Sequence, residues 1–185
     1  MNDMKKRVLL KETEKMTAYQ PANFFESQLI HARNKHLQQL LHTPVQPSRR
    51  LEEISRFGGV YFLDDSHSED VESLYYSLEK IQHPVLWITG GDDSNVNYRS
   101  LLQLAVEKVK VLICIGEDNE NLKRTFSPYI GTIYECKSME HAVKTAYYSA
   151  EREDAVLLSS ACACDALYAD RKEQSDLFRK AISEL

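Results

Sequence analysis

From Val60 to the C-terminus the sequence alternates between short apolar runs, rich in β-branched residues, and longer stretches with helical spacing. The strand-like runs are Val60–Leu63, Val85–Thr89, Val109–Ile115, Thr132–Cys136 and Ala155–Ser159, and the helical windows lie at about 69–82, 97–107, 118–127, 138–151 and 165–184. Parallel strands need a crossover to bring the chain back to the same end of the sheet, and right-handed crossovers put helices on its faces. The alternation therefore predicts an α/β fold: a doubly wound, mostly parallel sheet covered on both sides. Val109–Ile115, apolar except for Lys110, reads as a central strand, and Trp87 inside its run reads as core.

The chain before this pattern differs in kind. Phe25, Leu29, Ile30, Leu37, Leu40 and Leu41 fall near helical spacing and predict one amphipathic helix over 22–42, ending at Thr43-Pro44. An isolated helix of that length is marginal in water, so it is expected to pack on the domain or on another copy of itself. Prolines at 44 and 47 suit a linker, which divides the chain into a helical extension over 1–48 and a domain over 49–185. Charge divides at the same place. Residues 1–50 carry nine Lys/Arg against four Asp/Glu, whereas 51–185 carry fourteen against twenty-four, for a net charge of -5.

That balance argues against nucleic acid as a partner, because phosphate-backbone binding needs a broad basic surface. No apolar run approaches the ~18 residues of a bilayer span, and Lys5-Lys6-Arg7 leads into only three apolar residues, so neither a membrane nor a signal peptide is expected and the location is taken as cytoplasmic. Four cysteines are then expected to stay reduced. With Met1 at its head the chain is expected to be complete.

In an open α/β sheet, ligands bind beyond the carboxyl ends of the strands. Three turns there carry chemistry: Asp64-Asp65-Ser66-His67-Ser68-Glu69-Asp70, Gly90-Gly91-Asp92-Asp93-Ser94, and Ser159 through Asp165. The first offers carboxylates, a hydroxyl and an imidazole, enough for acid/base or metal work, but Ser66 followed by Glu69 also fits a helix-capping box. The glycine pair has no phosphate-binding fingerprint around it and reads as a turn. Cys162 and Cys164 could form half a metal site, yet Cys114 and Cys136 fall in strands, and small buried thiols are the plainer reading. A Cys or Ser nucleophile with His67 as base is a further option. The pairs Tyr75-Tyr76 and Tyr147-Tyr148 lie in helical windows, where packing explains them.

Read as motifs, Arg49-Arg50-Leu51-Glu52, Asp64-Asp65-Ser66, Leu86 through Gly91, and Val156 through Ala163 resemble the C-terminal domain of the Mur ligases, in order and at near-constant spacing over 49–185. The D-glutamate-adding branch is the most similar, with the corresponding motifs H-R-L-E, N-D-S-K-A-T-N, G-G-x-D-K-G and L-L-S-P-A-C-A-S. The resemblance implies a Rossmann-like domain that closes over a nucleotide in peptidoglycan precursor synthesis. It also implies ATP and magnesium as cofactors of the family, with none expected for this domain alone. A central P-loop domain and a UDP-sugar domain, which the family also uses, have no counterpart in 1–48.

Carried over by position, the resemblance implies a phosphate contact for Arg50 and a ribose contact for Asp65, both on the nucleotide side. In the substrate pocket Ser66 is kept, while His67 stands for a lysine, Glu69 for a threonine and Ser94 for a lysine. Cys164 stands for a serine, Asp165 for an apolar residue and Gln174-Ser175 for an Arg-Gly pair. Two of these changes introduce carboxylates facing a dicarboxylate substrate. Like charges ~4 Å apart repel by about 4 kcal/mol at an effective dielectric near 20, so D-glutamate recognition is expected to fail. The expected role is a stand-alone, non-catalytic domain whose partner is a Mur ligase, another cell-wall enzyme or a second copy. The alternative is the C-terminal domain of an ATP-dependent ligase that joins D-glutamate to UDP-N-acetylmuramoyl-L-alanine, working with separate domains or as a fragment. Finally, Asp64, Asp65, Glu69, Asp70, Asp92 and Asp93 are expected to meet in one crevice with only His67 as an adjacent potential cation. That makes Asp64, Asp65, Asp92 and Asp93 weak candidates for a calcium or magnesium site, with helix capping as the alternative.

Overall fold

The computed structural model describes residues 51–68, 70–116, 119–161 and 167–185. The chain separates into two units, Met1–Pro44 and Val45–Leu185, and every described element belongs to the second. The helix expected over 22–42 lies outside the described residues.

In chain order the elements are β1 (Glu52–Phe57), β2 (Val60–Asp64), α1 (Val71–Lys80), β3 (Val85–Gly90), α2 (Leu102–Lys108), β4 (Val109–Ile115), α3 (Glu120–Phe126), β5 (Ile133–Cys136), α4 (Met139–Ser149), β6 (Ala155–Leu158) and α5 (Arg171–Ser183). A short 3-10 turn, Tyr98–Ser100, precedes α2. The six strands lie in the order β1-β2-β6-β3-β4-β5, with β2, β6, β3, β4 and β5 parallel. All five strand-like runs of the sequence are strands of this parallel set.

The sixth strand is a correction. β1 pairs antiparallel with β2 through a turn at Gly58-Gly59, both at positive φ (61° and 87°). Two consecutive left-handed residues are what a two-residue hairpin needs, and Gly-Gly is among its ordinary signatures. The run Leu51 to Phe57, with three charged residues, lacks a strand's apolar density because β1 is an edge and faces water.

Two apolar layers hold the sheet. On one face α1, α2 and α3 supply Leu74, Leu78, Ala105, Leu122 and Phe126 against Trp87, Leu112 and Leu157. On the other, α4 and α5 supply Ala142, Val143, Ala146, Phe178 and Ala181 against Phe62, Ile88, Ile113 and Val156. Covered on both sides, β3 and β6 are buried at every residue, which is why their sequences read as continuous apolar runs. Trp87 is fully buried and donates its Nε1–H to the Ser159 carbonyl at 2.9 Å. Lys110, the one polar residue of β4, carries its ammonium to Asp154 (2.7 Å) and Glu151 (3.1 Å). Cys114 and Cys136 are buried thiols, as expected; burial pushes Cys114 up to about 12. Tyr148 departs from the packing expected of it and is 80% exposed. Among the described residues no helix is long and apolar enough to cross a membrane.

Candidate functional site

The loops at the carboxyl ends of β2, β3 and β6 form the candidate site. β2 ends at Asp64, and Asp65 is tied to β6 by its amide, which donates to the Leu158 carbonyl at 2.8 Å. Asp65 is only 2% exposed. Its Oδ2 accepts hydrogen bonds from the Ser68 hydroxyl (2.6 Å) and the Ser159 hydroxyl (2.8 Å). Burial raises its pKa above the usual carboxylate range, while the Ser68, Ser159 and Ser77 hydroxyls pull the other way.

Asp64 is also buried. Its Oδ1 accepts the Ser66 amide at 3.0 Å, and its Oδ2 takes the Ser175 hydroxyl and, at 3.5 Å, Arg179, which also reaches Glu52 at 2.9 Å. Arg171, the first residue of α5, donates Nη1–H to the carbonyls of Ser66 (2.8 Å) and Ser68 (2.7 Å). The 64–68 turn is thus laced to α5 from side chain and backbone alike.

Three corrections follow for this turn. Ser66 does not cap a helix: the cap of α1 is Asp70, whose carboxylate accepts from the Ser73 amide at 2.7 Å, and the buried Ser66 hydroxyl has no hydrogen-bond partner among the described residues. His67 is exposed and is not the only basic side chain beside the turn, because Arg171 and Arg179 reach the same turn. Among the described residues the acids do not converge on one mouth. Asp93 is buried and turns away, its Oδ2 accepting the Leu122 amide in the first turn of α3 at 2.8 Å. Asp92 stays exposed and holds its own loop, taking the Ser94 hydroxyl (2.6 Å) and amide (3.1 Å), which keeps its carboxyl below the usual range. Ser94 is therefore committed to Asp92. Among the described residues no group of three or more His, Cys, Asp or Glu side chains is placed to hold a metal ion. Arg50, Glu69, Cys164 and Asp165 lie outside the described residues.

Gly90 is required where it stands. A Cβ there would sit 2.1 Å from the Ile115 carbonyl oxygen, so β3 and β4 can separate into their loops only over a bare backbone.

Sequence reasoning missed Arg171 and Arg179, and met Ser175 only as part of the Gln174-Ser175 replacement of an Arg-Gly pair. They recur at every fourth residue and so share one face of α5, a polar stripe that was legible in the spacing. What the spacing lacked was the identity of the turn they face.

Residues 49–162 match the family described as Mur ligase, glutamate ligase domain. The UDP-N-acetylmuramoylalanine--D-glutamate ligase of Christiangramia forsetii is 34% identical over 159 residues, covering 86% of this chain and 36% of that protein. The enzyme of the same name from Porphyromonas gingivalis is 40% identical over 136 residues, covering 74% of this chain and 30% of that protein. The chain thus spans about a third of the length of these curated relatives. A crystal structure of MurF ligase from Thermotoga maritima in complex with ADP is 12% identical, covering 77% of this chain and 32% of that one at a TM-score of 0.48. With its hairpin, its parallel strands and its strand-end turns matched in sequence from residue 49 to 162, the chain belongs to the Mur ligase family as a C-terminal, glutamate ligase domain.

Proposed function

We propose that this chain is a non-catalytic Mur ligase C-terminal-type domain, a binding module of peptidoglycan precursor synthesis that keeps nucleotide-side positions and no longer accepts D-glutamate. The observation that carries the reading is the acceptor side. An imidazole, His67, stands where the resemblance expects a lysine, and the hydroxyl of Ser94, at a second lysine position, is bound to Asp92. Neither supplies the fixed cation that a dicarboxylate needs. On the nucleotide side Asp65 is retained, although a ribose hydroxyl would have to compete with Ser68 and Ser159 for it. The protein that such a module serves is a Mur ligase or another cell-wall enzyme.

Titration calorimetry of the purified chain with Mg-ADP and with D-glutamate tests this reading, alongside a phosphate-release assay containing ATP, UDP-N-acetylmuramoyl-L-alanine and D-glutamate. Weak nucleotide binding that is lost in Arg50→Ala, with no D-glutamate heat and no phosphate release, is the expected result. D-glutamate-dependent phosphate release overturns it.

A second reading has its own support. Identity of 34% and 40% to proteins named as D-glutamate ligases, across a domain that is about a third of their length, favours the C-terminal domain of an ATP-dependent ligase working with separately supplied domains. Adding this chain to a relative truncated before its own C-terminal domain separates the two: restored ligation supports the second reading and removes the first.

A further inference from the structure

β1 is the end strand of the sheet, and among the described residues nothing pairs with its outer edge. An open edge presents a row of N–H and C=O groups ready to accept another strand. Beside it, Ile54, Ser55 and Phe57 line, together with Arg179, Ile182 and Leu185, a groove of about 420 Å³ between the strand and the C-terminal helix.

The side chains of β1 divide by face. Glu52 reaches Arg179 of α5, and Phe57 lies against Tyr147 of α4, with ring centres 5.4 Å apart. Ile54 packs against the same α4–α5 layer. Arg56 lies over the Tyr61 ring at 4.3 Å, on the opposite face. The irregularity in register between Glu53 and Ser55 inserts one residue, so Ile54 and Ser55 share the helical face and Glu53 returns to the face of Arg56.

We infer that β1 is a homodimer edge, pairing antiparallel with β1 of a second copy about a two-fold axis between Ile54 and Ser55. In that register Glu53 of each copy stands opposite Arg56 of the other, on one face and twice over. On the helical face Ile54 of each copy stands opposite Ser55 of the other beside the groove, and Phe57 lies across from Glu52. On the face of Glu53 and Arg56 a matching strand must carry a base opposite the acid and an acid opposite the base, and β1 read backwards does so; Glu52, already paired with Arg179 of its own chain, meets Phe57 on the other face. Arg56 already touches Glu153 of its own chain at 2.5 Å, but a guanidinium has five N–H donors and is half exposed here, so it has capacity for a second carboxylate. An acidic peptide would meet Glu52 and Glu53, and an apolar helix would leave the edge amides unpaired. The product is an isologous dimer with a sheet continuous through both copies.

Sedimentation velocity of the full chain, from low micromolar to near millimolar, is the test. A concentration-dependent monomer–dimer equilibrium is expected. Glu53→Arg replaces two attractive cross-strand pairs by two repulsive ones and should weaken dimerisation by about tenfold. The double swap Glu53→Arg with Arg56→Glu should bring it back toward the parent. Hydrogen exchange of the parent gives a readout independent of any variant: amides of Glu52–Phe57 exchange more slowly at high concentration than at low. A parent that is monomeric throughout, a Glu53→Arg variant indistinguishable from it, or concentration-independent exchange at β1 overturns the inference. A folded double variant that fails to recover overturns the register.

Discussion

Asp64 and Asp65 leave β2 and turn inward, whereas Asp92 leaves β3 and turns outward, although the two turns look alike as strings of acids and serines. The first turn is roofed by α5, whose Arg171, Ser175 and Arg179 meet its carbonyls and carboxylates, and it shares Ser159 with β6. The second has Asp93 drawn under α3 and Asp92 folded back on Ser94. What separates them is which neighbouring element brings donors. A buried carboxylate persists only where hydroxyls, amides or guanidinium groups replace water. An exposed one needs nothing beyond its own loop. The count of acids at the strand ends was therefore a poor guide to the field there.

The largest effect that would break this contrast is on stability. Asp65→Ala strips the acceptor from two buried serine hydroxyls and should cost about 2 kcal/mol, read from urea unfolding. Asp92→Ala, in the exposed turn, should leave the same unfolding curve in place. Equal losses in the two variants would erase the distinction.

The next effect is local. Arg171→Gln removes the donor that spans the Ser66 and Ser68 carbonyls and should destabilise by about 1 kcal/mol. Amides of the 65–68 turn should exchange faster while those of 91–97 keep their protection. Unchanged exchange at 65–68 would mean that α5 does not hold the turn.

The smallest effect is a difference in sign. Asp65 has a raised pKa in the folded protein, chiefly from burial, so the folded state binds its proton more tightly than the unfolded state does. Its contribution is present below the ordinary carboxylate range and is lost as pH climbs through the raised value. Relative to Asp65→Asn, the parent should lose stability over that rise. Asp92 is held low by Ser94, so its contribution is present above the ordinary range and is lost as pH falls through the depressed value; relative to Asp92→Asn, the parent should lose stability on acidification. Unfolding at several pH values distinguishes them, and slopes of one sign would defeat the comparison.

β2, β3, β4 and β6 were legible because each is covered on both faces and is therefore almost wholly apolar, a demand that leaves its mark residue by residue, whereas β5, the other end strand, leaves Tyr134 and Glu135 exposed and offered a thinner run. β1 was not legible, since an edge strand with Glu52, Glu53 and Arg56 in water has no apolar run to read, and its one signal was Gly58-Gly59. The helix cap was misplaced by four residues for a related reason. Ser66 and Asp70 are both competent caps, and only the path of the backbone out of β2 chose Asp70.

By itself the sequence determined the α/β class, the burial of Trp87 and of the strand thiols, and the family, because periodicity, side-chain volume and motif order are properties of the string. Only the tertiary structure decided the antiparallel edge, the enclosure of Asp65, the turning apart of Asp64 and Asp93, and the arrival of Arg171 and Arg179 at the β2 turn. Those outcomes rest on contacts between residues up to 115 positions apart, where charge and hydrogen bonding depend on what the fold brings near and are written in no local pattern.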